Sequence, residues 1–330
     1  MENQLPESSN NNKPTSELIY PPKFQVEDVK DHSLLIRSVF SLFIYLGVGY
    51  LLTGRLDVLV MIVAIVLLHE MGHFMAMRYY NYSDVSIFFI PLLGAFISGN
   101  KKEVSQKQNA VILLAGPLPG IILGLVFYFI DKNYNGIYWG NISLNLVSIL
   151  LIWINAINLL PVFPLDGGQL LNRVFLDEEG FWSNLFIILS AAAVIWLAIS
   201  IKFYILLFIP VMLFLRYWST RKHINLEKKL LEEGIDLDKS YDELSDEEYW
   251  NIRAVIVKNV PSFENINSGP PFEYDVKEER VAQEVETVLQ RNLLMDISPW
   301  EKIVVLFLWA LTIASPWIFD IEFIFNTSIR

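Results

Sequence analysis

The sequence predicts an all-α polytopic membrane protein of about seven transmembrane helices, with a short re-entrant segment that is a candidate β-hairpin and a small helical cytoplasmic insert. Two observations carry that class. Of the 330 residues, 53% are hydrophobic and only 18% charged, and the mean hydropathy of +0.40 is too apolar for a soluble chain of this length. The excess is also gathered into blocks of about 16 to 22 residues nearly free of charge. A helix rising about 1.5 Å per residue needs that length to cross roughly 30 Å of hydrocarbon.

The spans fall at about 36–53, 58–77, 109–130, 144–163, 182–200, 203–218 and 302–319. The sixth is the weakest, being short, containing Pro210 and standing only a residue or two from the fifth around Lys202. With a cytoplasmic N-terminus, the inside loops carry Lys101, Lys102, Lys107, Arg173, Arg216, Arg221 and Lys222, and the outside loops Arg55, Lys132 and Lys202 singly. The bias predicts a multi-pass protein of the cell membrane with the N-terminus cytoplasmic and the C-terminus extracytoplasmic.

One apolar run does not fit a span. Ile87 to Ile97, IFFIPLLGAFI, is too short to cross, is interrupted by Pro91 and Gly94, and is rich in β-branched and aromatic residues. It reads either as a re-entrant hairpin buried in protein or lining a cavity, or as an interfacial loop.

The polar segments bound the rest. Residues 1–33 read as a disordered cytoplasmic tail, and they lack the basic and apolar regions of a cleaved signal peptide. Residues 34–218 form the membrane core, 219–300 an acidic helical cytoplasmic insert, and 301–330 a last transmembrane helix. In the insert, Ser245 to Glu248 is a candidate capping box opening a helix to about Lys258, and Val281, Val285 and Val288 recur at helical spacing. The net charge of −11 resides in these segments and argues against a basic nucleic-acid surface. The absence of cysteine excludes disulfides and thiolate metal sites, so a metal would need His, Asp, Glu or water.

The second span contains HEMGH: His69, Glu70 and His73. Residues i and i+4 share one helix face, so both imidazoles can reach one zinc ion, and Glu70 beside them can take a proton from a water held there. The chain has only four His, and two of them share an apolar span with a carboxylate. Ionisable groups at that depth cost a few kcal/mol each unless paired or wetted, so their presence needs a reason. The bland reading is a pair of core histidines satisfied by neighbouring helices.

A catalytic zinc usually takes three protein ligands, so a third is needed. The fourth span ends in NLLPVFPLDGG, where Pro161 and Pro164 unwind the helix near membrane depth and Asp166 follows, with Gly167 and Gly168 permitting a sharp turn. Spans two and four run in the same direction, which puts His69 and Asp166 in the same half of the bilayer. Alone, Asp166 reads as an ordinary interfacial turn; beside an incomplete two-His site it becomes the candidate ligand.

HEMGH in one span and NLLPVFPLDGG ending another resemble the site-2 protease family of intramembrane zinc metalloproteases, over roughly residues 56–175. The resemblance implies one Zn2+ per chain held by His69, His73 and Asp166, with Glu70 as the catalytic base. Asn158 falls where the family carries an Asn, and would hold the substrate backbone or oxyanion; its alternative is a helix-packing amide, and Asn155 faces the same choice with less support. IFFIPLLGAFI is similar to the family's re-entrant hairpin, and AGPLPG at Ala115 to Gly120 to its Gly-Pro element.

The implied substrates are single-span membrane proteins or peptides within the lipid bilayer, and no nucleic acid. The pattern departs from the family in lacking a PDZ-like insert and a pair of nucleotide-sensing modules. The alternatives are a catalytically inactive zinc-binding membrane scaffold and a cation transporter. Glu70 argues against the first, and the lack of two repeated halves with paired broken helices against the second.

Overall fold

The computed structural model describes residues 20–25, 33–90, 94–101, 103–134, 136–140, 142–176, 180–237, 239–289 and 292–321. Most of the expected N-terminal tail, together with Pro91 and Lys102, lies outside the described residues.

Helices α1 (Ser33–Thr53) and α2 (Leu56–Tyr79) are followed by strands β1 (Ser83–Ile90), β2 (Gly94–Asn100) and β3 (Glu103–Ser105). Next come α3 (Gln106–Ala115), α4 (Pro117–Tyr134), the short strands β4 (Tyr138–Trp139) and β5 (Ile142–Ser143), and α5 (Leu144–Asn158). The chain continues through α6 (Asp166–Leu170), α7 (Phe181–Ser200), α8 (Phe208–Glu232), α9 (Asp246–Asn259) and α10 (Glu278–Leu289), ending in β6 (Asn292–Leu294) and α11 (Pro299–Ile318).

Each expected span overlaps helical residues, but the boundaries and continuity differ for local physical reasons. Four stretches are long and apolar enough to cross a membrane: 56–79, 106–134, 181–200 and 299–318. Ile36–Leu51 and Leu144–Asn158 are shorter apolar helices. The expected 144–163 span stops at Asn158 because the prolines that follow cannot continue it. The expected 109–130 span is two helices, broken at Gly116 before Pro117. The expected 203–218 span begins with a 3-10 turn at Tyr204–Leu207 and then runs as helix to Glu232.

The strands depart from an all-α chain. β1 and β2 pair antiparallel, with Ile87 opposite Ile97 and Phe89 opposite Ala95, so the apolar run is a hairpin. Ser41 Oγ on α1 accepts from Phe89 N at 3.0 Å. β3 and β6 form a parallel pair that local sequence does not announce, because its partners are about 190 residues apart. Ser105 donates to Asp296 at 2.6 Å beside it.

The chain forms two compact units: Met1–Glu27 with Asn225–Leu289, and Asp28–Ile224 with Gln290–Arg330. The first has a conventional core. Tyr249, Ile252 and Ile256 from α9 meet Val281, Ala282 and Val285 from α10, all fully buried. Ser245 caps α9 as a reciprocal capping box with Glu248, as the SDEE pattern predicts. Arg253 and Glu278 are buried together in a two-pronged ion pair at 2.7 and 2.8 Å, completed by Tyr249 Oη at 2.6 Å.

The second unit also buries apolar residues, among them Ile149, Ile152 and Leu159, but two of its helices are inside-out. On α7 the buried positions include Ser183 and Ser190, whereas Trp182, Ile188 and Trp196 are each more than 60% exposed. Helix α11 buries Thr312 and Ser315 and exposes Phe307 and Trp317. Polar groups inward and large apolar groups outward is the pattern of a helix whose surroundings are hydrocarbon.

Candidate metal centre

The centre lies where α2, α3, α5 and α6 converge. His69 and His73 occupy one face of α2, one turn apart as their spacing requires, and both are buried with Glu70 between them. Close approach of the neighbouring helices depends on missing side chains. A Cβ on Gly72 would stand 2.0 Å from the Ala115 carbonyl oxygen, and one on Gly116 would stand 2.3 Å from His73 Nε2. The break between α3 and α4 thus makes room for an imidazole.

Asp166 begins α6, where a carboxylate is favoured by the unpaired N–H groups of the first turn. The unwound segment before it is held at several points. Trp309 donates to Leu159 O at 2.9 Å, Phe163 N to Ser190 Oγ at 3.1 Å, and Gln169 Nε2 to Pro164 O at 2.9 Å. A Cβ on Gly167 would fall 1.9 Å from Leu159 O, so only glycine lets α6 fold back this tightly.

Asp166 Oδ2 lies 3.0 Å from His69 Nε2 and 3.3 Å from His73 Nε2, and the two Nε2 atoms are 3.1 Å apart. These short distances are not hydrogen bonds. His73 Nδ1 faces the Ile112 carbonyl at 2.7 Å, and His69 Nδ1 faces Asn155 Oδ1 at 2.7 Å. The Asn155 amide is oriented by its own bond from Nδ2 to Leu151 O at 2.6 Å, so its oxygen accepts. Each neutral imidazole therefore carries its proton on Nδ1 and directs a lone pair from Nε2 inward. Asp166 Oδ2 is buried with no hydrogen-bond donor aimed at it.

Three acceptors facing one point repel unless a cation lies between them, and a single proton could bridge only two. The donor set fits zinc by chemistry, two imidazoles and a carboxylate, and by size, because tetrahedral ligands at about 2.0–2.1 Å stand roughly 3.3 Å apart. His69, His73 and Asp166 are the group among the described residues whose ligand atoms all lie within 4.8 Å of one another.

Not every expected residue joins this cluster. Asn158 is half-buried, and its amide donates back to Ile154 O at 3.2 Å on its own helix. Asn155, one turn earlier and fully buried, is the residue in contact with His69. Its sequence signal was an amide in an apolar span, a signal that Asn158 shares. The Ile112 carbonyl that fixes His73 has no side-chain signal at all. A Cβ on Gly120 would meet Asn155 Nδ2 at 2.2 Å, so α4 presses the amide into place.

The family model of peptidase family M50 matches residues 57–136, which include HEMGH but not Asp166. A zinc metalloprotease of Methanocaldococcus jannaschii is 28% identical over 116 residues, covering 35% of this chain and 33% of that protein. Stage IV sporulation protein FB of Bacillus subtilis is 29% identical over 131 residues, covering 40% of this chain and 44% of that one. Over residues 57–136 the chain is similar to peptidase family M50. The solved structure of a site-2 protease from Methanocaldococcus jannaschii aligns at 21% identity and a TM-score of 0.41, covering 55% of this chain and 85% of that one. The chain spans between a third and just under half of the length of the curated relatives it matches. The family-model match and the apolar helices together make it a multi-pass membrane protein.

Proposed function

We propose that this chain is an intramembrane zinc metalloprotease of the site-2 protease type, which hydrolyses peptide bonds in or near single transmembrane segments of other proteins. The observation that carries the reading is the convergence of two imidazole nitrogens and one orphaned carboxylate oxygen on a point, with both outer imidazole nitrogens already committed. His69, His73 and Asp166 would hold one zinc ion. Bound there, zinc would supply Lewis acidity that brings the pKa of a water down to about 7.

Glu70 takes the proton from the attacking water on its carboxylate and returns it to the leaving amine nitrogen. It is buried within electrostatic reach of His73, His69 and Asp166. Asn155 and the Ile112 carbonyl keep the two imidazole protons on Nδ1, and Asn158 binds the substrate backbone or oxyanion. A helical substrate shields its own peptide bonds, so it must unwind before attack. Among the described residues β2 pairs only with β1, so its other edge can take up the unwound strand.

The proposed topology has seven crossings, with the N-terminus cytoplasmic, the C-terminus outside, and the hairpin re-entering the membrane. Its division is a tail at 1–33, a catalytic core at 34–218, a cytoplasmic insert at 219–300 and a final helix at 301–330. The test is cleavage of a single-span reporter by purified wild type, Glu70→Gln and metal-stripped protein. The Glu70→Gln variant is expected to retain zinc and lose about 10² to 10⁴-fold in kcat. Undiminished cleavage would remove Glu70 as the base, and undiminished zinc affinity in Asp166→Ala would remove Asp166 as a ligand.

A further inference from the structure

Residues Tyr20–Gln25, YPPKFQ, lie against the unit built from α9 and α10 without entering its core. The fully and nearly fully buried members of that core all come from residues 226–289, and Tyr20 and Phe24 only pack against it. Along the segment Tyr20, Pro21, Lys23 and Phe24 are half-buried while Pro22 and Gln25 are exposed. Exposure thus recurs every third residue, the period of a left-handed polyproline helix, whereas a strand would alternate in twos.

The contacts follow the logic of polyproline recognition. Such a helix makes no internal hydrogen bonds, so its carbonyls need outside donors. Trp250 Nε1 donates to Pro21 O at 2.8 Å, Tyr274 Oη to Pro22 O, and Tyr241 Oη to Phe24 O at 2.5 Å. Tyr20 stacks on Phe272 at 4.9 Å between ring centres, and Phe24 meets Tyr274 edge-on at 5.8 Å. Trp250 stacks on Tyr274 at 5.7 Å, so the donors and ring contacts belong to one aromatic surface.

Lysine supplies the selectivity. Lys23 Nζ donates to the carbonyls of Tyr241, Asp242 and Leu244 at 3.0, 2.7 and 2.9 Å, using all three of its hydrogens. Its backbone N donates to Asp246 Oδ1 at 2.7 Å. A ring of carbonyls at the end of the 3-10 turn Tyr241–Glu243 fits an ammonium and excludes a carboxylate.

We propose that this unit is a peptide-binding module whose ligand is an extended polyproline-type segment carrying paired prolines followed by lysine and an aromatic residue. Residues 20–25 fill the groove in cis, and a segment of the same chemistry in another protein displaces them. The groove takes a ligand in main-chain and aromatic terms that survive exchange of one chain for another, because Tyr20 and Phe24 pack against the core and are not among its buried members.

The test uses the full chain in detergent, as wild type and with residues 20–25 replaced by glycine and serine. A fluorescein-labelled YPPKFQ peptide is titrated into each and followed by anisotropy. The emptied chain is expected to bind it at least about tenfold more tightly than wild type, and a YPPAFQ peptide to bind about tenfold more weakly, because three hydrogen bonds from a charged donor are lost. Tyr274→Phe in the emptied chain, which removes only one donor, is expected to weaken binding severalfold. Equal binding by a scrambled peptide, or no binding to an emptied chain with a native near-UV spectrum, would overturn the proposal. If the emptied chain loses that spectrum, recovery on adding YPPKFQ but not the scrambled peptide supports the module. Failure to recover makes the segment part of the fold and overturns it.

Discussion

Asn155 and Asn158 stand one turn apart on α5, and the structure gives them different surroundings. Asn155 Oδ1 faces His69 Nδ1 at 2.7 Å, whereas Asn158 bonds its own helix. Asn155→Ala is expected to reduce zinc affinity about 10- to 100-fold, the usual effect of removing the partner that orients a ligating histidine. Asn155→Asp retains the acceptor oxygen and should recover much of that affinity. Asn158→Ala is expected to leave zinc affinity unchanged and to lower kcat, as a group acting on substrate would. Chelator competition measures the first pair and reporter cleavage the third; equal zinc loss in Asn155→Ala and Asn158→Ala would refute the division of roles. HEMGH was legible because helix periodicity alone puts positions i and i+4 on one face. Which asparagine meets His69 was not, because both lie in the same apolar span and only the crossing of α2 with α5 distinguishes them.

At the scale of elements, Gly72 sets how closely α2 and α3 approach, since a Cβ there would stand 2.0 Å from Ala115 O. Gly72→Ala must push α3 away, and with it the Ile112 carbonyl that fixes His73. The expected cost is about 1–3 kcal/mol in stability, with zinc affinity lowered although no ligand has changed. Thermal unfolding and chelator competition on the same sample check this; a variant of unaltered Tm and affinity would show that the contact is slack.

Helix α9 offers a test of different character. Its N3 residue Glu248 is held by Lys239, then by the Ser245 N–H and hydroxyl, which lower its carboxyl pKa from the usual 4.5 to about 2. A depressed folded-state pKa stabilises the fold above the ordinary value, and that stability is lost as pH falls from about 4.5 toward 2. Protection of the first turn of α9, taken relative to the intrinsic exchange rate at each pH, should therefore fall over that window, and Glu248→Gln should flatten the response. The side chains of the pair are 39% and 34% exposed, so added salt should shrink the effect. This element was readable from its SDEE box. The pairing of β3 with β6 was not, because three-residue strands carry no period and their partner lies far along the chain.

On the scale of the whole molecule, the inside-out burial of α7 and α11 is the strongest sign of hydrocarbon around the second unit. Hydropathy made the helices legible, but the sequence divided the chain linearly, whereas residues from both ends of the chain contribute to different compact units. Direction of insertion is set by where Lys and Arg flank the spans, and the number of crossings by whether α1, α5 and α8 complete their passage. These two quantities are separable, because an odd number of crossings puts the termini on opposite sides whatever the orientation. The chain contains no cysteine, so single replacements can be labelled without a background. With a membrane-impermeant maleimide on intact cells, Trp139→Cys and Ser328→Cys are expected to react and Ser8→Cys to react only after permeabilisation. Trp139 is 91% exposed between α4 and α5, so its replacement tests access and not folding. Labelling of Ser8 alone from outside would invert the orientation while keeping the odd count. Labelling of Ser8 and Ser328 from the same side would mean that one of the shorter helices turns back within the bilayer. The α8 helix, with its 3-10 entry at Tyr204–Leu207 and Pro210 in its first turn, is then the segment to probe next.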